Sequence, residues 1–127
     1  MREQPSAAAL LQAVSGFLRN GAIPHLTGQP AFHARVAANV LDIVARELQQ
    51  GAAAEAGELD RLRALLLADG DPDTLNQELC ERIAAGEITL DTPGLADHLW
   101  RSALDGVAID QPAYAAYQRI INSEQEA

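Results

Sequence analysis

The 127-residue chain contains no lysine, so its nine basic residues are all arginine against eighteen acids, and the formal charge is −9. That charge has the wrong sign for releasing counterions from a phosphate backbone or for meeting an anionic bilayer, which excludes nucleic acid and membrane surfaces as expected partners. The arginine-only bias fits a GC-rich bacterial coding sequence. A single cysteine, Cys80, excludes a disulfide within the chain. Glu78 and Glu81 beside it disfavour a thiolate, so a small buried residue is expected there and not a nucleophile. No apolar run approaches the roughly 20 residues that cross a bilayer, and MREQPSAAALLQAVSG lacks the apolar core and cleavage pattern of a signal peptide. The expected location is the cytoplasm. Glycine-rich phosphate loops, paired cysteines, HExxH and a glycine-flanked serine elbow are all missing, so no cofactor and no catalytic constellation are implied. Three scattered histidines do not make a metal set. Asp69, Asp71 and Asp73 alternate like a calcium loop, but Cys80 stands where the distal glutamate belongs, and they read as a turn and a helix cap.

Alternating strand patterns are absent beyond the fragment EITL, which excludes a sheet and leaves an all-α reading: one compact domain over residues 1–127, a bundle of five or six helices around a central helix at about residues 30–50, with frayed ends at about 1–4 and 123–127. Pro5 and Ser6 open a first helix carrying Leu10, Leu11, Val14, Phe17 and Leu18, and Asn20-Gly21 is expected to stop it. Gly51 is expected to end the central helix, with a third helix over Glu55 to Ala68. Asp71-Pro72 caps a fourth helix that buries Leu75, Leu79 and Ile83. A fifth, after Thr92-Pro93, is expected to turn Leu95, Leu99, Trp100, Ala103 and Leu104 inward and His98 toward water. A short last helix carries Tyr114, Tyr117, Ile120 and Ile121.

On the central helix, Phe32, Val36, Ala37, Val40, Leu41, Ile43, Val44 and Leu48 cover about half the cylinder, an arc expected to face more than one neighbour. Ala34, Ala38, Asp42, Ala45 and Gln49 lie on the other side. Arg35, Asn39 and Arg46 form a polar stripe, and Asp42 precedes Arg46 by four, the spacing of a local ion pair. His33 and Glu47 interrupt the arc. Fourteen residues at about 1.5 Å each hold them roughly 21 Å apart on one helix, so each needs its own partner. The bland expectation is a hydrogen-bonded core histidine and an acid paired with an arginine of another helix.

FHARVAANVLDIVARELQQG, with AALLQAVSGFL upstream and TLNQELCERIAAGE downstream, resembles a small bacterial family of unknown function. The likeness covers roughly Pro5 to Tyr114 and is most specific at Phe32, His33, Arg35 to Asn39 and Arg46 to Leu48. Members of that family occur near or fused to aminoglycoside-phosphotransferase-like kinases and acyl-CoA dehydrogenases. The resemblance therefore implies a non-enzymatic accessory module with a kinase-like or acyl-CoA-handling partner, and it transfers no catalytic residue. His33, Arg35, Asn39, Arg46 and Glu47 are the candidate ligand- or partner-binding residues, and an alanine-rich helix side is compatible with a homodimer. Two other readings stand beside it. One is a pocket for an acidic metabolite or CoA thioester lined by His33, Arg35 and Asn39, although His33 points about 160° away from Arg35. The other is an enzyme with His33 as general base.

Overall fold

In the computed structural model, which describes residues 4–126, five α-helices and no strand are found among the described residues. Helix α1 spans Ala7–Phe17, α2 Gly28–Leu66, α3 Pro72–Ala84, α4 Leu95–Asp110 and α5 Ala115–Glu126. The all-α expectation is met. Residues 1–3 and 127, expected at the frayed ends, lie outside the described residues.

Local chemistry accounts for most boundaries. The Ser6 side chain accepts from the Ala9 N–H at 3.1 Å, and Asp71 accepts from Thr74 at 2.9 Å, each satisfying a donor that the first turn leaves open. Asn20-Gly21 does not stop the chain's winding as expected. The helix widens into a π-helical turn over Leu18–Ala22 and tightens into a 3₁₀ turn over Ile23–His25. Gly21 permits this because the Phe17 ring lies over it, where a Cβ would stand 3.0 Å from a ring carbon.

Gly51 is the larger correction. Helix α2 passes through it for 39 residues, merging the expected second and third helices into one. A helical glycine costs about 1 kcal/mol relative to alanine, but Ala52, Ala53, Ala54 and Ala56 follow it, and alanine is the strongest helix former. The bare backbone also has a local use, since a Cβ at Gly51 would meet the Glu47 Oε1 at 2.5 Å. The helix ends where Leu67 takes a left-handed φ of 51°, the place glycine commonly fills after a helix.

Packing divides the chain into two compact units, Met1–Gly51 and Ala52–Ala127, and α2 contributes to both. In the first unit the buried residues are small: Ala8 and Ser15 on α1, and Ala31, Ala38 and Ala45 on α2, each set recurring at seven. This inverts the expected burial. The alanine side of α2 is inside, and Phe32, Val36, Val40, Val44 and Leu48 are outside. Small side chains let two helix backbones approach closely, and Ser15 Oγ reaches the Ala38 carbonyl at 3.5 Å.

The second unit is built the ordinary way. Leu62, Leu66, Leu75, Leu79, Ile88 and Leu95 form one buried cluster, with Leu59, Leu65 and Ala68 packed against it. The EITL fragment is a turn that inserts Ile88 and leaves Leu90 outside. Ile83, expected inside, is 40% exposed at the end of α3. Helix α4 is rotated from its expected setting. Leu95, His98 and Ile109 are buried while Leu99 and Trp100 are exposed, so His98 is inside and not solvated. Cys80, expected inside, is exposed next to buried Leu79.

Candidate interaction surface

Every fourth residue of α2 from Phe32 to Leu48 is a large apolar side chain, and at this spacing they form one oblique ridge on the helix surface. Phe32 is 60% exposed, Val40 52% and Leu48 54%, values typical of charged surface residues and not of a helix interior. Helix α1 adds a second exposed row, Leu10, Val14 and Phe17. The first unit therefore shows water two rows of large apolar side chains, while Leu11, Leu18, Leu41 and Ile43 are half-buried.

His33 and Glu47 sit on this surface. Both are exposed, which corrects the expectation of a core histidine. The His33 ring packs at a tilt of 58° against Phe32, with centroids 5.8 Å apart. Arg35 is exposed, and its position on the helix sends it to a different side from His33. Asn39 is also outside the ridge, where its Oδ1 accepts from Arg19 Nη2 at 2.8 Å.

A polar network ties α1 to α2 beside the alanine seam. Arg19 Nη2 donates to Asp42 at 2.7 Å and to Asn39 with the same nitrogen, and Ser15 lies at the buried end of the group. Burial is the strongest single influence on Asp42 and raises its pKa. Hydrogen bonds from Ser15 and Arg19 and the positive charges of Arg19 and Arg46 outweigh it, so the carboxyl is held below its ordinary value. The charge of the expected local partner Arg46 acts on Asp42, and Arg19, from beyond α2, makes an ion pair with it. Nothing in the α2 pattern names Arg19. The structure brings Asn39 together with Arg19 and Asp42, and it separates His33 from Arg35.

A second network, absent from the sequence expectations, lies in the second unit. Arg61 Nε donates to His98 Nδ1 at 3.1 Å and Arg61 Nη2 to Ser102 Oγ at 3.2 Å, while Asn76 donates to Glu58 at 2.7 Å. Since Nδ1 accepts, the His98 proton belongs on Nε2. Burial, and next the neighbouring Arg61 charge, push the His98 pKa down, against the opposing pull of Glu58 and Asp97. The lone pair a general base would use is occupied by a guanidinium. The arrangement joins α2 to α4 and holds a neutral imidazole in place; proton transfer at Nδ1 is blocked. The signal in the residues is the His98 to Ser102 spacing of four, which puts both on one stripe of α4 with Leu95 and Ile109. Ser102 also borders a hollow of about 460 Å³ against Gly106, Val107, Asp110 and Tyr114.

Among the described residues no group of three or more His, Cys, Asp or Glu is placed to hold a metal ion, and no helix is long and apolar enough to cross a membrane. No curated protein and no solved structure matches the chain. The pattern that runs from the 3₁₀ turn through the ridge, the leucine core and His98 to Tyr114 is that of a recognised family: residues 24–114 match the model of Domain of unknown function (DUF6285), and the chain belongs to that family.

Proposed function

We propose that the chain is a non-enzymatic interaction module of the bacterial cytoplasm whose working surface is the apolar ridge of its first unit. The observation supporting this is the inversion of α2, which buries alanines and presents Phe32, Val36, Val40, Val44 and Leu48 to water. Exposed apolar area forgoes about 25 cal/mol per Å², and soluble proteins seldom leave a contiguous patch above a few hundred Å² without a use for it. Candidate contact residues are His33 and Glu47 within the ridge, with Arg35, Asn39 and Arg46 on the flanking polar stripe.

The resemblance to a family encoded near kinases and acyl-CoA dehydrogenases directs the search for a larger partner to a kinase-like or acyl-CoA-handling enzyme. Co-expression with each class, followed by size exclusion with light scattering, tests the reading. A stoichiometric complex that Val40→Asp abolishes supports it. The reading fails when neither enzyme associates at micromolar concentration and the purified chain is also a monomer, because the ridge then meets no protein at all.

A further inference from the structure

We infer that the ridge of α2 is covered by a second copy of the same chain, with the two α2 helices running antiparallel about a two-fold axis at Val40 and His33 of each copy meeting Glu47 of the other. This rests on the preceding reading that the ridge is an interface, and it names the occupant.

The ridge is symmetric about Val40. Phe32 and Leu48 lie eight residues to either side of it, Val36 and Val44 four, and His33 and Glu47 seven. A two-fold interface is isologous, so a residue at a given distance before the axis meets the one at the same distance after it. Antiparallel pairing through Val40 at a shallow crossing angle therefore sets Val40 on its own copy with Val36 and Val44 beside it, and leaves Phe32 and Leu48 at the flanks. The same operation sets His33 on Glu47. These two polar residues sit within the ridge, roughly 21 Å apart on one helix and unable to meet there. Two turns to either side of the axis, they lie close to the centre line of the exposed face. Across the dimer they become two equivalent pairs in which an imidazole N–H donates to a carboxylate, which removes the cost of covering either one alone.

Area sets the strength of the pairing, and charge permits it. The five ridge residues expose on the order of 450 Å² together, one partner's share of a small and weak interface, so the dimer is sought at high concentration. The whole chain carries −9, a charge that opposes self-association, but residues 1–51 hold four arginines against three acids. The face that pairs belongs to the nearly neutral part of the molecule.

The test uses the full chain. Light scattering at about 100 µM is expected to give twice the 13.5 kDa chain mass, and Val40→Asp to raise the dimer dissociation constant by about 100-fold or more. His33→Glu sets an acid against Glu47 at both equivalent pairs and is expected to weaken the dimer by about tenfold, while His33→Glu combined with Glu47→His restores it. The register is read directly in a Cys80→Ser background. Val40→Cys is expected to form a disulfide-linked dimer on mild oxidation, since only residues at the axis come within the roughly 7 Å that a disulfide spans, and Arg35→Cys on another side of the helix is not. A monomeric wild type at that concentration overturns the proposal, as does a dimer that Val40→Asp leaves intact or in which Val40→Cys fails to cross-link. A monomer that nonetheless forms a Val40-dependent complex with a co-expressed enzyme refutes the second copy while leaving the interface reading standing. A dimer that captures no enzyme does the opposite for the larger partner.

Discussion

The two units use one helix in opposite ways. Up to Gly51, α2 buries Ala31, Ala38 and Ala45 and exposes valine, leucine and phenylalanine; beyond it, the same helix buries Leu62 and Leu66. Charge follows the division, for the first 51 residues carry four arginines and three acids while the remaining 76 carry five and fifteen. Polar groups follow it as well. In the first unit Asp42 stays ionised beside Arg19, whereas in the second His98 is held neutral beneath Arg61. The comparison teaches that hydrophobicity alone does not choose the inner face of a helix. Where the neighbour is a short helix approaching closely, small side chains are inside and the large ones remain for something else.

The comparison breaks most sharply at Leu62, which is fully buried. Leu62→Ala is expected to cost about 3 kcal/mol in urea unfolding, the range for leucine truncation in a packed core. Ala38→Leu sharpens it from the other side. Ala38 is wholly buried between close-packed helices, and the added bulk is expected to cost about 1–3 kcal/mol and to lower the protection of α1 amides from exchange before those of α3. A stability unchanged by Ala38→Leu would mean that the alanine seam is not tightly packed.

The histidine offers a pH test. His98 has its folded pKa lowered from 6.5, so the unfolded chain binds the proton more readily. Stability is therefore full above pH 6.5 and is lost as the pH falls below it, until the folded form also takes up the proton. The slope for one group is no steeper than about 1.4 kcal/mol per pH unit. His98→Gln is expected to flatten this part of the profile, measured by chemical unfolding from about pH 7.5 down to about pH 5. Asp42 and Asp71, both lowered from 3.8, act in a separate window, losing their contributions only as the pH falls below that value. The smallest expected effect is at Leu67, which is 91% exposed and left-handed. Leu67→Gly removes the strain without uncovering any core and is expected to raise stability by about 0.5–1 kcal/mol in thermal unfolding.

Much of this architecture is legible in the residues. Ser6 and Asp71 announce their helices, the four-residue spacings of Glu78 with Arg82 and Asp97 with Arg101 give the observed ion pairs, and the helical spacing of Leu59, Leu62, Leu65 and Leu66 matches the packed cluster. The misses share a cause. Gly51 reads as a terminator because its backbone cost is visible, whereas the alanines that outweigh it carry no pattern. The burial of α2 comes out reversed because two faces compete and only the larger side chains announce themselves. His33 and Glu47 stand out as anomalies in the ridge, but the pattern alone places that ridge inside. His98 reads as solvated because Leu99 and Trp100 draw the face of α4 around by about one residue. Arg19 and Arg61 are invisible as partners, since a cross-helix hydrogen bond leaves no trace in the spacing of either helix alone.

The uninterrupted passage of α2 through Gly51 also bears on how the chain folds. Helix nucleation is the costly step and propagation adds one hydrogen bond per residue. A helix started on the leucine cluster can extend toward Phe32 through Ala54, Ala53 and Ala52 without a second nucleus. The alanine seam offers little apolar surface to drive collapse, and α1 packs on a helix that the leucine cluster also supports. Amides near Leu62, in the leucine cluster, are expected to exchange more slowly than those of α1, which buries only Ala8 and Ser15.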